Sequence, residues 1–191
     1  VTPDLIRKDL AFLESKGKCK KIYGGAILNR LNVHLEDANS RKSVNSKEKQ
    51  KIAQMAYDLI EPNMTVFLDI STTNIELAKL LVLRPISGIT VVTNMLDVIQ
   101  ILSTSQIHSI FIGGEFDYAR NGFVGNMCDE FLQRFHFDLA FLGVVGIDLE
   151  SKSVMTYMPN DGQTKRIVLK QSKKAYMLAD SDKFYQMGNY E

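Results

Sequence analysis

The 191 residues predict an α/β fold, a mainly parallel sheet with helices on both faces, preceded by a partial winged helix-turn-helix. Three observations predict it. After Pro62, short continuous apolar runs recur at 65–69, 89–94, 109–113, 139–143 and 175–180, and segments of helical period separate most of them. Strands apolar on every residue are buried on both faces, as in a parallel sheet. Each run also finishes in glycine or polar residues. Finally, charge is unevenly divided. Residues 1–51 hold 12 Lys/Arg against 6 Asp/Glu, and residues 52–191 hold 11 against 16, although the net charge is only +1. Such asymmetry suggests a basic segment that meets a polyanion, joined to a separate body.

Composition removes other classes. Hydrophobic residues make up 45% and charged residues 24%, which excludes whole-chain disorder and supplies a real core. No apolar run approaches the roughly 20 residues a bilayer span needs, and no secretory signal opens the chain. Cys19 and Cys128 lie far apart with no metal-type spacing, so the reading is a reduced, cytoplasmic protein without metal or cofactor. The chain opens on Val1 rather than Met, and further N-terminal residues are expected. The expected division is a DNA-binding segment at 1–28, a linker at 29–48 and an α/β domain at 49–191.

Thr2-Pro3-Asp4 is a helix start: a hydroxyl cap, a proline for the first turn and a carboxylate at the positive end of the dipole. Ile6, Leu10 and Leu13 recur at helical spacing and mark a buried face, Arg7 and Lys8 point elsewhere, and Gly17 ends the helix. The run 18–23 (K-C-K-K-I-Y) then reads as a basic strand that turns at Gly24-Gly25. A helix with basic residues off its apolar face, followed by a basic hairpin, fits a helix in the major groove and a wing on phosphates. The alternative is an amphipathic helix packed on the body or on a partner chain. The mixed polar stretch up to 48 reads as a linker. Residues 49–60 read as a helix with Ile52, Met55, Ala56, Leu59 and Ile60 on one face. Helix 74–83 carries Leu77, Ala78 and Leu81, and helix 126–135 carries Cys128, Phe131, Leu132 and Phe135.

In such sheets ligands bind beyond the carboxyl ends of the strands. Asp69 and Ser71-Thr72-Thr73-Asn74 follow the first strand, offering hydroxyls and helix N-terminal N–H groups suited to phosphate and a carboxylate for sugar hydroxyls. Simple helix capping is the alternative. Asn94, Gly113-Gly114, Asp148 and Lys183 follow the later strands, and Lys165 begins a helical segment with Arg166. His34, His108 and His136 show no ligand spacing, Cys128 reads as core, and Met55, Met95 and Met127 read as packing.

The stretch T-P-D-L-I-R-K-D-L-A-F-L-E-S-K-G followed by K-K-I-Y-G-G-A resembles the recognition helix and wing of DeoR-type bacterial transcription regulators. The likeness extends through F-L-D-I-S-T-T, V-T-N, the G-G pair, G-V-V-G-I-D, D-G-Q-T-K-R and D-S-D-K-F, over nearly the whole chain. It implies a body similar to the ribose-phosphate and glucosamine-phosphate isomerase fold. It also implies a regulator, in most cases a repressor of sugar metabolism, that binds operator DNA as a dimer or tetramer and senses a phosphorylated sugar. By matching motif, Ser71, Thr72, Thr73 and Lys183 would hold phosphate, and Asp69, Asn94, Asp148 and Lys165 the sugar part. Gly113 and Gly114 would allow close ligand approach. Arg7, Lys8, Lys20, Lys21 and Tyr23 would meet DNA. Lys8 and Tyr23 replace the usual Arg and His. Ser71 replaces a usual Gly, and Asp161 and Gln163 stand where two Glu are common. Asp117 stands where a basic residue is common, with Arg120 nearby to compensate. The family body continues beyond D-S-D-K-F, so further C-terminal residues are expected.

The alternative from another class is a sugar-phosphate isomerase, with Asp69 or Asp148 as base and Lys165 stabilising an enediolate. A third reading is a body that serves oligomerisation alone.

Overall fold

The structure, a computed structural model, describes residues 2–16, 19–28, 31–32 and 38–191. The basic front end forms α1 (Pro3–Ser15), then β1 (Cys19–Ile22) and β2 (Gly25–Leu28), an antiparallel hairpin. Its turn is Tyr23-Gly24, with Gly24 at φ +83°, a conformation glycine adopts without steric cost. Glu14 fastens hairpin to helix by accepting from the Lys21 backbone N–H at 2.7 Å. The expected burial of Ile6, Leu10 and Leu13 is corrected here: Ile6 and Leu13 are exposed and Leu10 is half-buried. One hairpin shields only the C-terminal half of a helix face, where buried Cys19 meets the Leu10 carbonyl. Gly17 lies outside the described residues.

Next come β3 (Leu31–Asn32), α2 (Ala38–Lys42) and α3 (Ser46–Tyr57). The expected helix at 49–60 is therefore shifted towards the N-terminus. The stretch expected to be a linker holds α2 and the first turn of α3; residues 29–30 and 33–37 lie outside the described residues. Lys42 ties α2 to the body through an ion pair with Asp97 at 2.6 Å.

The body continues with β4 (Thr65–Leu68), α4 (Thr72–Leu83), β5 (Thr90–Thr93), α5 (Leu96–Leu102) and β6 (His108–Phe111). A hairpin of β7 (Glu115–Asp117) and β8 (Gly122–Val124) leads into α6 (Asn126–Leu132) and β9 (Phe137–Gly143). A second hairpin, β10 (Gly146–Asp148) and β11 (Ser153–Met155), precedes α7 (Pro159–Gln171) and β12 (Ser172–Leu178). A 3-10 turn (Ser181–Tyr185) and β13 (Gln186–Met187) follow, and β13 pairs with β3.

The five apolar runs form one parallel sheet in the order β12-β9-β4-β5-β6. Alternation along the strands feeds two cores. Val66, Leu68, Val91, Leu139 and Phe141 face α3, α4 and α5. Phe67, Val92, Ala140 and Leu142 face α6 and α7, with Cys128, Leu132, Ile167 and Val168. Several helix faces differ from expectation. Met55 on α3, Leu59 just after it, and Met127 and Phe131 on α6 are exposed, while Ala53 and Ala56 are buried. Close packing of α3 against α4 selects small residues, so the largest apolar side chains do not mark the buried face. Met95 is fully buried. Lys165 sits in the middle of α7 rather than at a helix start.

Candidate functional site

After β4 the chain builds β5 and β6 on one side, then crosses to place β9 and β12 on the other. The ends of β4 and β9 therefore part at a topological switch point, where a crevice forms beyond the sheet. Asp69 bridges it. Its Oδ2 accepts from the Gly143 N–H at 2.9 Å and from Lys165 at 2.8 Å. Gly143 permits this approach: a Cβ there would lie 2.6 Å from the Ile70 carbonyl oxygen. Asn74 pins the same loop, donating to the carbonyls of Asp69 and Phe141 at 2.8 and 2.9 Å. Ser71 caps α4 by accepting from the Thr73 N–H at 3.2 Å.

Over this floor lies a cavity that opens to solvent. The α4 start contributes Ser71, Thr72 and Thr73, and the β9 end contributes Gly143, Val144 and Val145. Thr156 and Tyr157 come from the loop between β11 and α7, Asp161 from the first turn of α7 and Lys165 from its middle. Asp180, Asp182, Lys183 and Gln186 close one side, and Arg41, Val44, Asn45 and Lys49 arrive from α2 and α3. Arg120 enters from the loop between β7 and β8.

Five cations and three carboxylates thus line one cavity. Lys165 is held by Asp161 at 2.6 Å as well as by Asp69. Burial pulls the Lys165 ammonium down, but the two carboxylates outweigh it and its pKa rises. Burial pushes the Asp69 carboxyl above the usual carboxylate range, against the pull of Lys165. Thr156 donates to the second oxygen of Asp161. Lys49 is different. It is 4% exposed and donates to the Arg41 carbonyl, and among the described residues it forms no ion pair. Burial lowers its pKa, and neighbouring Lys183 and Arg41 add to the effect while Asp180 opposes it. The buried oxygens Asp69 Oδ1 and Asp180 Oδ1 have no donor. Among the described residues the cavity therefore offers a buried cation outside any ion pair, and hydroxyls and amides at a helix N-terminus.

Of the residues expected at the rim, Ser71, Thr72, Thr73, Lys165 and Lys183 line the cavity and Asp69 lies directly behind Lys165. The structure does not bring Asn94, Gly113, Gly114 or Asp148 to it. The Asn94 amide donates to the Phe123 carbonyl and anchors the β7–β8 hairpin. Gly113 and Gly114 follow the edge strand β6, and Gly114 packs against the Val124 carbonyl and Cys128. Asp148 accepts from the Glu150 N–H at the tip of the second hairpin. Gln163 is exposed, as are His108 and His136; His34 lies outside the described residues. Cys128 is core, and burial pushes its thiol up to about 12. Sequence reading missed Arg41, Asn45, Lys49 and Tyr157. The apolar period of α3 began one turn too late, and nothing local marks a lysine in a polar stretch as buried.

At the front end Arg7, Lys8, Lys20, Lys21 and Tyr23 are all exposed, and Arg7 pairs with Asp4 at 3.1 Å. Tyr23 stands at the tip of the hairpin.

The DeoR C-terminal sensor domain matches residues 44–191, and the DeoR-like helix-turn-helix domain matches residues 1–31. The chain belongs to the DeoR family. Three relatives illustrate it. The putative aga operon transcriptional repressor of Escherichia coli O157:H7 is 33% identical, over 94% of this chain and 66% of its own length. The L-fucose operon activator of Haemophilus influenzae is 31% identical (96% and 73%), and the lactose phosphotransferase system repressor of Lactococcus lactis 34% (93% and 70%). This DeoR-family chain spans about two thirds to three quarters of those relatives. Its body shares a fold with ribose 5-phosphate isomerase A from Methanocaldococcus jannaschii (TM-score 0.53, 16% identity, 73% of this chain and 55% of that one). It shares it equally with eIF2B delta from Chaetomium thermophilum (TM-score 0.56, 12% identity, 75% and 51%). At these identities the likeness speaks for the fold alone.

Proposed function

We propose that this DeoR-family chain is a DNA-binding transcription regulator, a repressor of sugar-metabolism genes, whose α/β body binds a phosphorylated sugar that shifts operator affinity. The observation that carries the reading is buried Lys49, in no ion pair among the described residues, in one cavity with the hydroxyl-rich start of α4 and Lys183. A buried ammonium is costly unless an anion meets it, and a phosphate at a helix N-terminus gains from the dipole and the free N–H groups. Ser71, Thr72, Thr73, Lys49 and Lys183 hold the phosphate. Asp69 and Lys165 stand at the sugar part. Ligand occupancy favours one state of the body and so biases the DNA-binding equilibrium. The protein acts in the cytoplasm as a dimer or tetramer. Against the isomerase alternative stand the regulator relatives, the position of Asp148 outside the cavity, and the engagement of Asp69 by Lys165 and Gly143.

The test is operator binding by the full-length protein with and without a panel of phosphorylated sugars. Thr72→Ala combined with Lys183→Ala is expected to abolish the ligand response while leaving operator affinity within about twofold. A response that survives in this variant places the pocket elsewhere.

The front end reads the operator, with Arg7 and Lys8 on α1 and Lys20, Lys21 and Tyr23 on the hairpin. In a second experiment Lys20→Ala with Lys21→Ala should weaken binding to all DNA sequences alike. The slope of log affinity against log salt should become shallower by about 1.8, the release of roughly 0.9 counterions per lost phosphate contact. An unchanged slope removes the hairpin from the DNA interface.

A further inference from the structure

We infer that Arg120 determines which phosphorylated sugar is accepted: it donates to neutral oxygens of the sugar part, separately from the phosphate anchor at Lys49 and α4. The inference rests on the ligand reading above.

Local structure holds Arg120 rigidly. Its backbone N–H donates to the Asp117 carbonyl and carboxylate at 3.2 and 3.1 Å, which shapes the loop between β7 and β8. The other Asp117 carboxylate oxygen accepts the Tyr157 hydroxyl. Tyr157 in turn lies under Arg120, with the guanidinium carbon 3.6 Å from the ring centroid. Ring, carboxylate and guanidinium thus form one platform that fixes the plane of the fork.

The guanidinium itself is unsatisfied. Arg120 is 6% exposed and lines the cavity, and among the described residues no oxygen accepts from its side chain and no carboxylate pairs with it. A guanidinium carries five N–H donors and no acceptor, and those of Arg120 open onto the cavity, since none of its nitrogens is among the fully buried atoms without a partner. The planar fork suits two oxygen acceptors side by side.

Charge separates this fork from the phosphate anchor. The charges that act on Lys49 are Asp180, Lys183, Arg41 and Glu76. Those that act on Tyr157, beneath Arg120, are Asp161, Asp117 and Arg120 itself. Arg120 therefore belongs with Asp161 and Lys165. Five lining cations face Asp161, Asp180 and Asp182, with Asp69 behind them. Among the described residues one formal positive charge remains in excess, which a single phosphate dianion already overcompensates. A second anion is not called for, and the partners of Arg120 are carbonyl or hydroxyl oxygens. The Thr156 hydroxyl and the Asp161 carboxylate belong to the same lining, so the sugar end offers both donors and acceptors, as a polyol requires.

The experiment is calorimetric titration of the full-length protein with inorganic phosphate, ribose 5-phosphate, fructose 6-phosphate, fructose 1-phosphate and glucosamine 6-phosphate. Arg120→Met is expected to lower affinity for the tightest-binding sugar phosphate about 10- to 100-fold, the value of a hydrogen bond to a charged group. Inorganic phosphate should keep its affinity within about twofold. Arg120→Lys, which keeps charge and stem but loses the fork, serves if the Met variant fails to fold, and should show the same split at about tenfold. Parallel loss of both affinities assigns Arg120 to the phosphate anchor and overturns the inference. Unchanged affinities make Arg120 a packing residue and overturn it equally. If no probe binds the wild type, the phosphorylated-sugar reading falls as well, an outcome distinct from the other two.

Discussion

Replacing Lys165 with Met is expected to destabilise the protein by about 3–5 kcal/mol at neutral pH, the usual effect of removing one partner from a buried ion cluster. Lys165 is the cation between two carboxylates whose side chains are 1% (Asp69) and 4% (Asp161) exposed. Without it the two like charges face each other in a low-dielectric interior. The deficit should depend on pH in a definite direction. Burial already holds the Asp69 carboxyl above its ordinary range, and loss of the cation raises it further. A carboxyl with a raised folded pKa stabilises the fold below its ordinary value, near 4, and that stabilisation is lost as pH rises through the raised value. The variant should therefore be weakest at pH 7–8 and recover part of its stability towards pH 5. Urea unfolding at the two pH values checks this, and equal deficits at both would show that Asp69 does not carry the uncompensated charge.

Lys49→Met should do the opposite to stability while removing function. The wild-type ammonium is buried with no ion pair among the described residues, so a side chain of similar length and no charge relieves a desolvation cost. A gain of roughly 0.5–2 kcal/mol is expected, of the size found when a functional site is traded for stability. Affinity for a phosphorylated sugar should fall about 10- to 100-fold through loss of a charge-assisted contact. The sign with pH again follows from the shift. A lysine with a lowered folded pKa binds fewer protons in the folded state than in the unfolded one. Wild-type stability from this group therefore rises with pH between the lowered value and about 10.5. The variant should lack that rise, and saturating phosphate should suppress it in the wild type by supplying the missing anion. Thermal unfolding across pH 7–10, with and without phosphate, measures both effects. A variant that melts lower than the wild type would show that Lys49 is a structural cation.

The central strands β9, β4 and β5 were legible in sequence because strands buried on both faces must be apolar throughout, whereas the edge strands β6 and β12 are partly exposed and were marked by their short apolar runs alone. The strand-end loop 69–74 was legible for a related reason: hydroxyls and an amide at a strand-to-helix turn have few other uses. Helix faces were less legible. Met55 and Phe131 look like core by spacing yet are exposed, and on α3 it is Ala53 and Ala56 that make the close contact with α4. The segment 38–49 reads as polar linker because its burial depends on partners far along the chain. Asn45 donates to Asp182, and Glu48 accepts from Ser181.

By itself, then, the sequence determined the parallel α/β body, the basic reading head and the Ser71–Thr73 end of the pocket, all features written in local periodicity and turn chemistry. Tertiary structure alone decided which polar residues meet. It drew in Lys49, Arg41, Arg120 and Tyr157, and left out Asn94, Gly113, Gly114 and Asp148. The reason is topological. The chain reverses direction at β4, so the crevice opens between β4 and β9, and a strand end contributes only if it borders that gap or if a loop carries it there.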